Sequence, residues 1–308
     1  MEREINFPSK GFQIAGTFSL PDSGSNLPAV LLIPGSGQID RNENHKKLRL
    51  NLFNELSDYL TGKGFAVLRY DKRGVGSSSG NYWETGFYDN ISDALSALEY
   101  LRNQDEIDAS HIFLLGHSEG AFISTHIAGH GADISGIVLL AGGAHSGEET
   151  LKWQALKVVE GMKGLNKWLI NIFHLDVAKS QQKQLDKIKK SKKDYYRVQM
   201  ISKLNAKWMR EFLMYDPSED FSRIKVPVLA ITGEKDIQVN PQDLVLMKEM
   251  VTSDYEYHIL SDVSHLLRPE QGKPSLSHYK KMVQKPVDER IPEIIVNWLK
   301  KQTNSQST

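Results

Sequence analysis

Short apolar runs alternate along this chain with longer segments of helical spacing, and that rhythm restricts the fold more than any other feature. A strand with one wet face alternates in polarity. These runs are apolar almost throughout, so both of their faces must be covered, as in a mostly parallel sheet between two helical layers. They fall at 28–33, 65–70, 111–115, 134–141, 226–232 and 255–260. Between them, Leu48, Leu52, Leu56, Tyr59 and Leu60 share one helical face, as do Ile91, Ala94, Leu95, Leu98 and Leu101. Residues 121–128 and 291–301 read as further helices, the last with Ile294, Ile295, Trp298 and Leu299 turned inward. Gly11 separates two short alternating runs in the first twenty residues, which predicts a hairpin. The polar tail after Lys301 is expected to fray.

One stretch breaks the rhythm. Residues 146–220 contain no strand-like run and turn to Lys, Gln, Leu and Trp at helical spacing. The length, 308 residues, suits one large domain with an insertion or two modest domains, and the former reading is adopted. It assigns 1–145 and 221–308 to an α/β core and 146–220 to a helical insertion. Between Lys152 and Arg210 there are fifteen Lys and Arg against four acids. Such runs usually form a solvated helical face; the sharper reading is a face that attracts anionic substrates.

Over the whole chain 38 basic and 38 acidic residues cancel, so bulk charge indicates no nucleic-acid partner. With no cysteine, disulfides, thiolate metal sites and cysteine nucleophiles are excluded. The charged start at Glu2, Arg3 and Glu4 lacks the apolar core of a signal peptide, and no apolar run is long enough to span a bilayer. A cytoplasmic location is the resulting expectation.

The pattern G-x-S-x-G occurs twice, as Gly116-His-Ser-Glu-Gly120 and Gly76-Ser-Ser-Ser-Gly80. Context separates them. A nucleophile elbow needs a strand running in, a helix running out, and small residues that let the turn tighten. Only the first copy qualifies, which selects Ser118. A serine hydroxyl needs a base within hydrogen-bond reach, and that base needs a third group to hold its tautomer. Asp236 follows the run at 226–232, and His265 follows the run at 255–260. Both therefore belong at carboxyl ends of strands, where ligands of open α/β sheets bind. Backbone N–H groups of Glu119 and of Ser36, with Gly37 as the alternative to Ser36, are the candidate oxyanion donors.

Together the segments Tyr70-Asp-Lys-Arg-Gly-Val-Gly-Ser77, Gly116-His-Ser-Glu-Gly120, Gly233-Glu-Lys-Asp-Ile-Gln-Val239 and Asp262-Val-Ser-His265 resemble the α/β-hydrolase superfamily. With Pro34-Gly-Ser-Gly-Gln-Ile-Asp-Arg41, the likeness narrows to bacterial esterases of the serine aminopeptidase-like and dienelactone hydrolase-like branches. The resemblance implies the α/β-hydrolase fold, a mostly parallel eight-stranded sheet with helices on both faces and a helical cap. It implies ester hydrolysis through an acyl-enzyme, on a small-molecule acyl ester. Thioester or amide cleavage on the same triad is the alternative, and a non-catalytic binding protein a more distant one. Many members carry His-Gly where this chain has Pro34-Gly35; backbone donors do not depend on that side chain.

Other candidates read differently. His117, next to the nucleophile, points away on a tight elbow and reads as loop support. His258 lies within a strand, and His278 in a Lys-rich, exposed stretch. Asp262 competes with Asp236 as the acid, but on the loop of His265 it more naturally braces a turn. Asp71 and Arg73 read as a pair that holds a loop. Asp40 and Arg41 either order the oxyanion loop or touch substrate. Trp153, Leu156, Trp168, Phe173, Trp208 and Phe212 serve as pocket wall or as the insertion's own core. No His, Asp or Glu cluster shows metal-ligand spacing and no Gly-rich loop fits a dinucleotide, so neither metal nor cofactor is inferred.

Overall fold

The computed structural model describes residues 1–161, 177–198 and 202–305. Its centre is one eight-stranded sheet: β1 Glu2–Ser9, β2 Phe12–Ser19, β3 Leu27–Ile33, β4 Ala66–Tyr70, β5 Ile107–His117, β6 Gly136–Leu140, β7 Val228–Gly233 and β8 Tyr255–Leu260. They lie in the order β1-β2-β4-β3-β5-β6-β7-β8. The β1–β2 hairpin turns at Lys10 and Gly11, and β2 pairs antiparallel with β4. Every later pairing is parallel. This is the α/β-hydrolase fold.

The apolar runs are covered on both faces, and the period of two in a strand explains how. Along β3, Leu31 and Ile33 join the layer formed with α2 Phe87–Arg102, α3 Glu119–Gly129 and α8 Asp243–Met250. Val30 and Leu32 point the other way, against α1 Leu52–Thr61 and α10 Arg290–Ser305. Trp298 of α10 meets Phe113 of β5 edge to face, with centroids 6.0 Å apart. Two expected helical positions shift. Leu48 belongs to a short hairpin, Asn44–His45 with Leu48–Arg49, and Leu95 is exposed while Ala97 packs inward.

Between β6 and β7 the chain forms α4 Gly147–Gly161, α5 Val177–Lys189, α6 Ala206–Met214 and α7 Ser218–Arg223. The expectation of helices without strands is corrected here. Tyr195–Val198 pairs antiparallel with Ser202–Asn205, a pair of four-residue runs too short and too polar to announce themselves. Asn205 then caps α6, accepting from Trp208 N–H at 2.9 Å, and donates through Nδ2 to the carbonyls of Tyr82 and Thr85 at 2.7 and 2.8 Å. This one side chain starts the helix and docks it on the core. Leu185, Ile188 and Leu213 make a small separate cluster. A last short helix, α9 Tyr279–Met282, precedes α10. No helix among the described residues is long and apolar enough to cross a membrane.

Candidate functional site

Ser118 sits between the end of β5 and the start of α3 at φ 53°, ψ −114°. A non-glycine residue there is strained by about 1–3 kcal/mol and needs its surroundings to hold it. The flanking glycines let those surroundings close in. A Cβ on Gly116 would meet the Gly120 carbonyl oxygen at 2.0 Å, and one on Gly120 would meet that of Ile33 at 1.9 Å. The second copy of the pattern has no such setting. Ser78 donates to the Asp71 carbonyl at 2.8 Å and accepts from Ala15 N–H at 2.9 Å, so its hydroxyl is spent on loop structure.

The loops after β7 and β8 are knit together by backbone bonds from Glu234 N–H to Leu260 O and from Lys235 N–H to Val263 O. This brings Asp236 beside His265. His265 Nδ1 lies 2.7 Å from Asp236 Oδ2, and its Nε2 lies 3.1 Å from Ser118 Oγ. Asp236 is buried, and its other oxygen accepts from the N–H groups of Gln238 and Val239 at 2.7 and 3.0 Å. The rival acid, Asp262, is exposed and pairs with Lys235. Arg268, fully buried, bonds Glu55 of α1 at 2.7 Å and the carbonyls of Leu50 and Lys285, anchoring the His265 loop.

Gly35 N–H is taken by Glu43 Oε1 at 2.7 Å, which leaves Ser36 as the next donor of that loop; Ser36 lines the cavity at Ser118. Gly37 does not line it. Glu119 opens α3, so its N–H has no acceptor within the helix. That cavity is small, about 40 Å³, walled by Phe122, Leu151, Trp208, Phe212 and Val239. Of the expected aromatic wall, Trp208 and Phe212 are present, stacked with centroids 5.1 Å apart. Trp153 instead lines a neighbouring hollow of about 490 Å³ that reaches Asp236, and Leu156 is exposed. Trp168 and Phe173 lie outside the described residues.

The largest omission of the sequence reading is the side chain of Glu119. It is buried and accepts from Lys72 Nζ at 2.8 Å, Asn90 Nδ2 at 2.7 Å and Trp208 Nε1 at 2.7 Å. Lys72, equally buried, also donates to the Gly35 carbonyl at 2.9 Å. A single carboxylate thus joins the elbow, the loop after β3 and α6. Gly116-His-Ser-Glu-Gly120 contains this residue, but its partners are 47, 29 and 89 residues away.

Asp40 and Arg41 are turned to loop order. Asp40 Oδ1 accepts from Asn42 and Asn44 N–H, and Arg41 binds Asp71, Glu4 and Thr17. Asp71 also accepts from Ser77 N–H, and Arg73 pairs with Asp93. His117 bonds the His265 carbonyl through Nε2 at 3.1 Å, with Nδ1 3.3 Å from Glu43. Burial disfavours its charged form, but Glu43, the His265 carbonyl and Asp236 together outweigh this and its pKa is raised. His258 bonds Glu256 and His278 bonds Glu270, and neither lines the cavity at Ser118. One cluster corrects the expectation that no metal-ligand grouping exists: His126, His130 and Asp220 converge. The two histidines are four apart, His126 on the last turn of α3 and His130 at its C-cap, and Asp220 comes from α7.

A family model described as serine aminopeptidase, S33, matches residues 49–272, a span that includes Ser118, Asp236 and His265. The chain belongs to this family. It is similar to esterase EstD of Thermotoga maritima, 28% identical over 291 residues, which cover 94% of this chain and 66% of that protein. The chain therefore spans just under two thirds of that relative's length. Among solved structures, Est1E of Butyrivibrio proteoclasticus with ferulic acid bound superposes with a TM-score of 0.65 at 15% identity, covering 97% of this chain and 99% of that one. The Pyrococcus furiosus esterase Pf2001 gives 0.64 at 15%, covering 98% and 91%. At such identities the structural likeness speaks for the fold.

Proposed function

We propose that this protein is a serine hydrolase of carboxylic esters, with Ser118 as nucleophile, His265 as general base and Asp236 as its orienting acid. The observation that carries the reading is one imidazole bridging a strained, elbow-borne hydroxyl at 3.1 Å and a buried carboxylate at 2.7 Å. Kinship with an esterase of Thermotoga maritima supports the ester class. His265 takes the Ser118 proton as Oγ attacks the ester carbonyl. Ser36 and Glu119 N–H groups stabilise the oxyanion of the tetrahedral intermediate. The imidazolium then gives its proton to the leaving alcohol, and water, activated by the same base, releases the acid. Residues 146–220 act as a cap, with Trp208 and Phe212 forming the acyl wall.

The family's description favours a second reading, removal of an N-terminal residue from a peptide. That substrate carries an ammonium group close to the scissile bond and needs a free carboxylate beside the nucleophile. Among the described residues lining the cavity at Ser118 only Glu119 is acidic, and its oxygens are committed to Lys72, Asn90 and Trp208. Ester cleavage is the better fit.

The test is labelling with a fluorophosphonate, followed by p-nitrophenyl esters of graded length and aminoacyl anilides. Ser118→Ala should lose labelling and Ser78→Ala should keep it; the reverse pattern would move the site. The narrow cavity predicts acetyl and butyryl esters turned over at least about tenfold more efficiently than decanoyl esters, on the usual worth of a misfitting methylene. Anilides turned over faster than every ester would favour the peptidase reading.

A further inference from the structure

His126 and His130 stand on the last turn of α3 and just beyond it, facing Asp220 of α7. The two helices can approach because α3 ends in Gly129: a Cβ there would lie 2.7 Å from Asp220 Cβ and 2.8 Å from its Cα. His126 Nδ1 is 3.1 Å from Asp220 Oδ2, and His130 Nδ1 is 3.4 Å from Oδ1. The imidazole centroids are 3.9 Å apart. Metal–ligand bonds of about 2.0–2.1 Å place the ligand atoms of a tetrahedral site roughly 3.3 Å from one another, which the two His–Asp edges match, one to each carboxylate oxygen; one ligand atom from each of the three residues lies within 4.8 Å of the others.

We propose that His126, His130 and Asp220 bind a transition-metal dication of the zinc class at a site separate from Ser118. Two imidazoles and one carboxylate are the donor set such ions prefer, whereas Mg²⁺ and Ca²⁺ prefer oxygen alone. The fourth position is left to water. Tyr215 OH donates to Asp220 Oδ2 at 2.8 Å and orients the carboxylate from behind. The end of α3 carries the negative pole of its dipole, which favours a cation. The ion replaces the proton between His126 Nδ1 and Asp220 Oδ2, and two further contacts yield on binding. His130 Nδ1 gives up its 2.9 Å bond to the His126 carbonyl, and Arg223, 4.0 Å from Asp220 Oδ1, swings fully to Glu219, which it already meets at 3.0 Å. Eight residues of helix, about 12 Å, separate His126 from Ser118, so the ion takes no part in acyl transfer. It pins α3, the helix that begins at the elbow, to α7, the last helix before β7.

The experiment uses tag-free protein stripped of metal with a chelator. Titration with Co²⁺ should produce a visible ligand-field band saturating at one ion per chain, and Zn²⁺ should displace it. Saturating Zn²⁺ should raise the thermal midpoint by about 3 °C or more, because an ion that binds only the folded state stabilises it. Mg²⁺ should do neither. His130→Ala, at an exposed position, should keep the metal-free midpoint while weakening Zn²⁺ at least about tenfold, in line with the loss of one ligand. His126→Ala with His130→Ala should abolish both signals. Absence of the band and of the stabilisation in the wild type would overturn the proposal, as would an undiminished response in the double variant.

Discussion

Three side chains on loops 147 and 29 residues apart meet within hydrogen-bond distance, and each is held by a different device. Ser118 is held by backbone strain between two glycines, Asp236 by two N–H groups, and His265 by a loop anchored through Arg268. Asp236 tests the division of labour. In Asp236→Asn the bonds from Gln238 and Val239 can persist, but the amide favours the wrong imidazole tautomer and does not stabilise the imidazolium. Turnover should fall by about 10⁴ with KM changed little, since the loss is confined to the transition state. Steady-state kinetics on p-nitrophenyl acetate would check it, and an unchanged kcat would reassign the acid.

Among the elements, α5 is tied to α4 by Leu151, which packs on the cluster containing Leu185 and Ile188, and by one acid. Glu148 pairs with Lys152 at 2.9 Å on its own helix and with Lys189 of α5, and it accepts from Gln182 at 3.2 Å. The Lys189 contact, followed by that of Lys152, pulls its pKa down to about 2. A carboxyl whose pKa is depressed on folding stabilises fully above its unfolded value, near 4.5. That contribution is lost as the pH falls toward about 2. Amide exchange across α5 should therefore accelerate over that window while α2 and α3 stay protected. Glu148→Gln should show the faster exchange at neutral pH and lose the acid dependence. Exchange in α5 that ignored both changes would show that other contacts hold it.

For the whole molecule, the carboxylate of Glu119 links core, elbow and the segment between β6 and β7. Lys72 and Glu119 form an ion pair buried on both sides, and deleting one member of such a pair typically costs about 3–5 kcal/mol because the other is left unpaired. Lys72→Met should lose stability by that order in urea unfolding and should also slow turnover, since the Gly35 carbonyl loses its donor and the loop after β3, the proposed source of an oxyanion donor, loses its brace. Combining it with Glu119→Gln removes the stranded charge, so the double variant should regain part of the stability without regaining the activity. Strictly additive losses would mean that the two residues act independently.

The order of strands and helices, the elbow and the three candidate catalytic residues could be read from the chain because each leaves a local mark. Apolar runs mark covered strands, glycines mark a tight turn, and an acid and a histidine follow successive strands. Ser36 and Glu119 could be put forward as donors, since a backbone donor depends on position in a loop and not on side-chain chemistry. Other features leave no such mark. The Glu119 side chain has no assignable role until Lys72, Asn90 and Trp208 fold around it, and Arg41 stays ambiguous until Asp71 and Glu4 close on it. His126 and His130 are four apart in the sequence, but Asp220 lies 94 residues further on and reaches them only because α3 ends in a glycine against α7. Local propensity and strand order were thus determined by the sequence alone. Which buried charges share a partner was decided by the tertiary structure, because burial makes pairing obligatory and only the packed chain determines which groups are within reach.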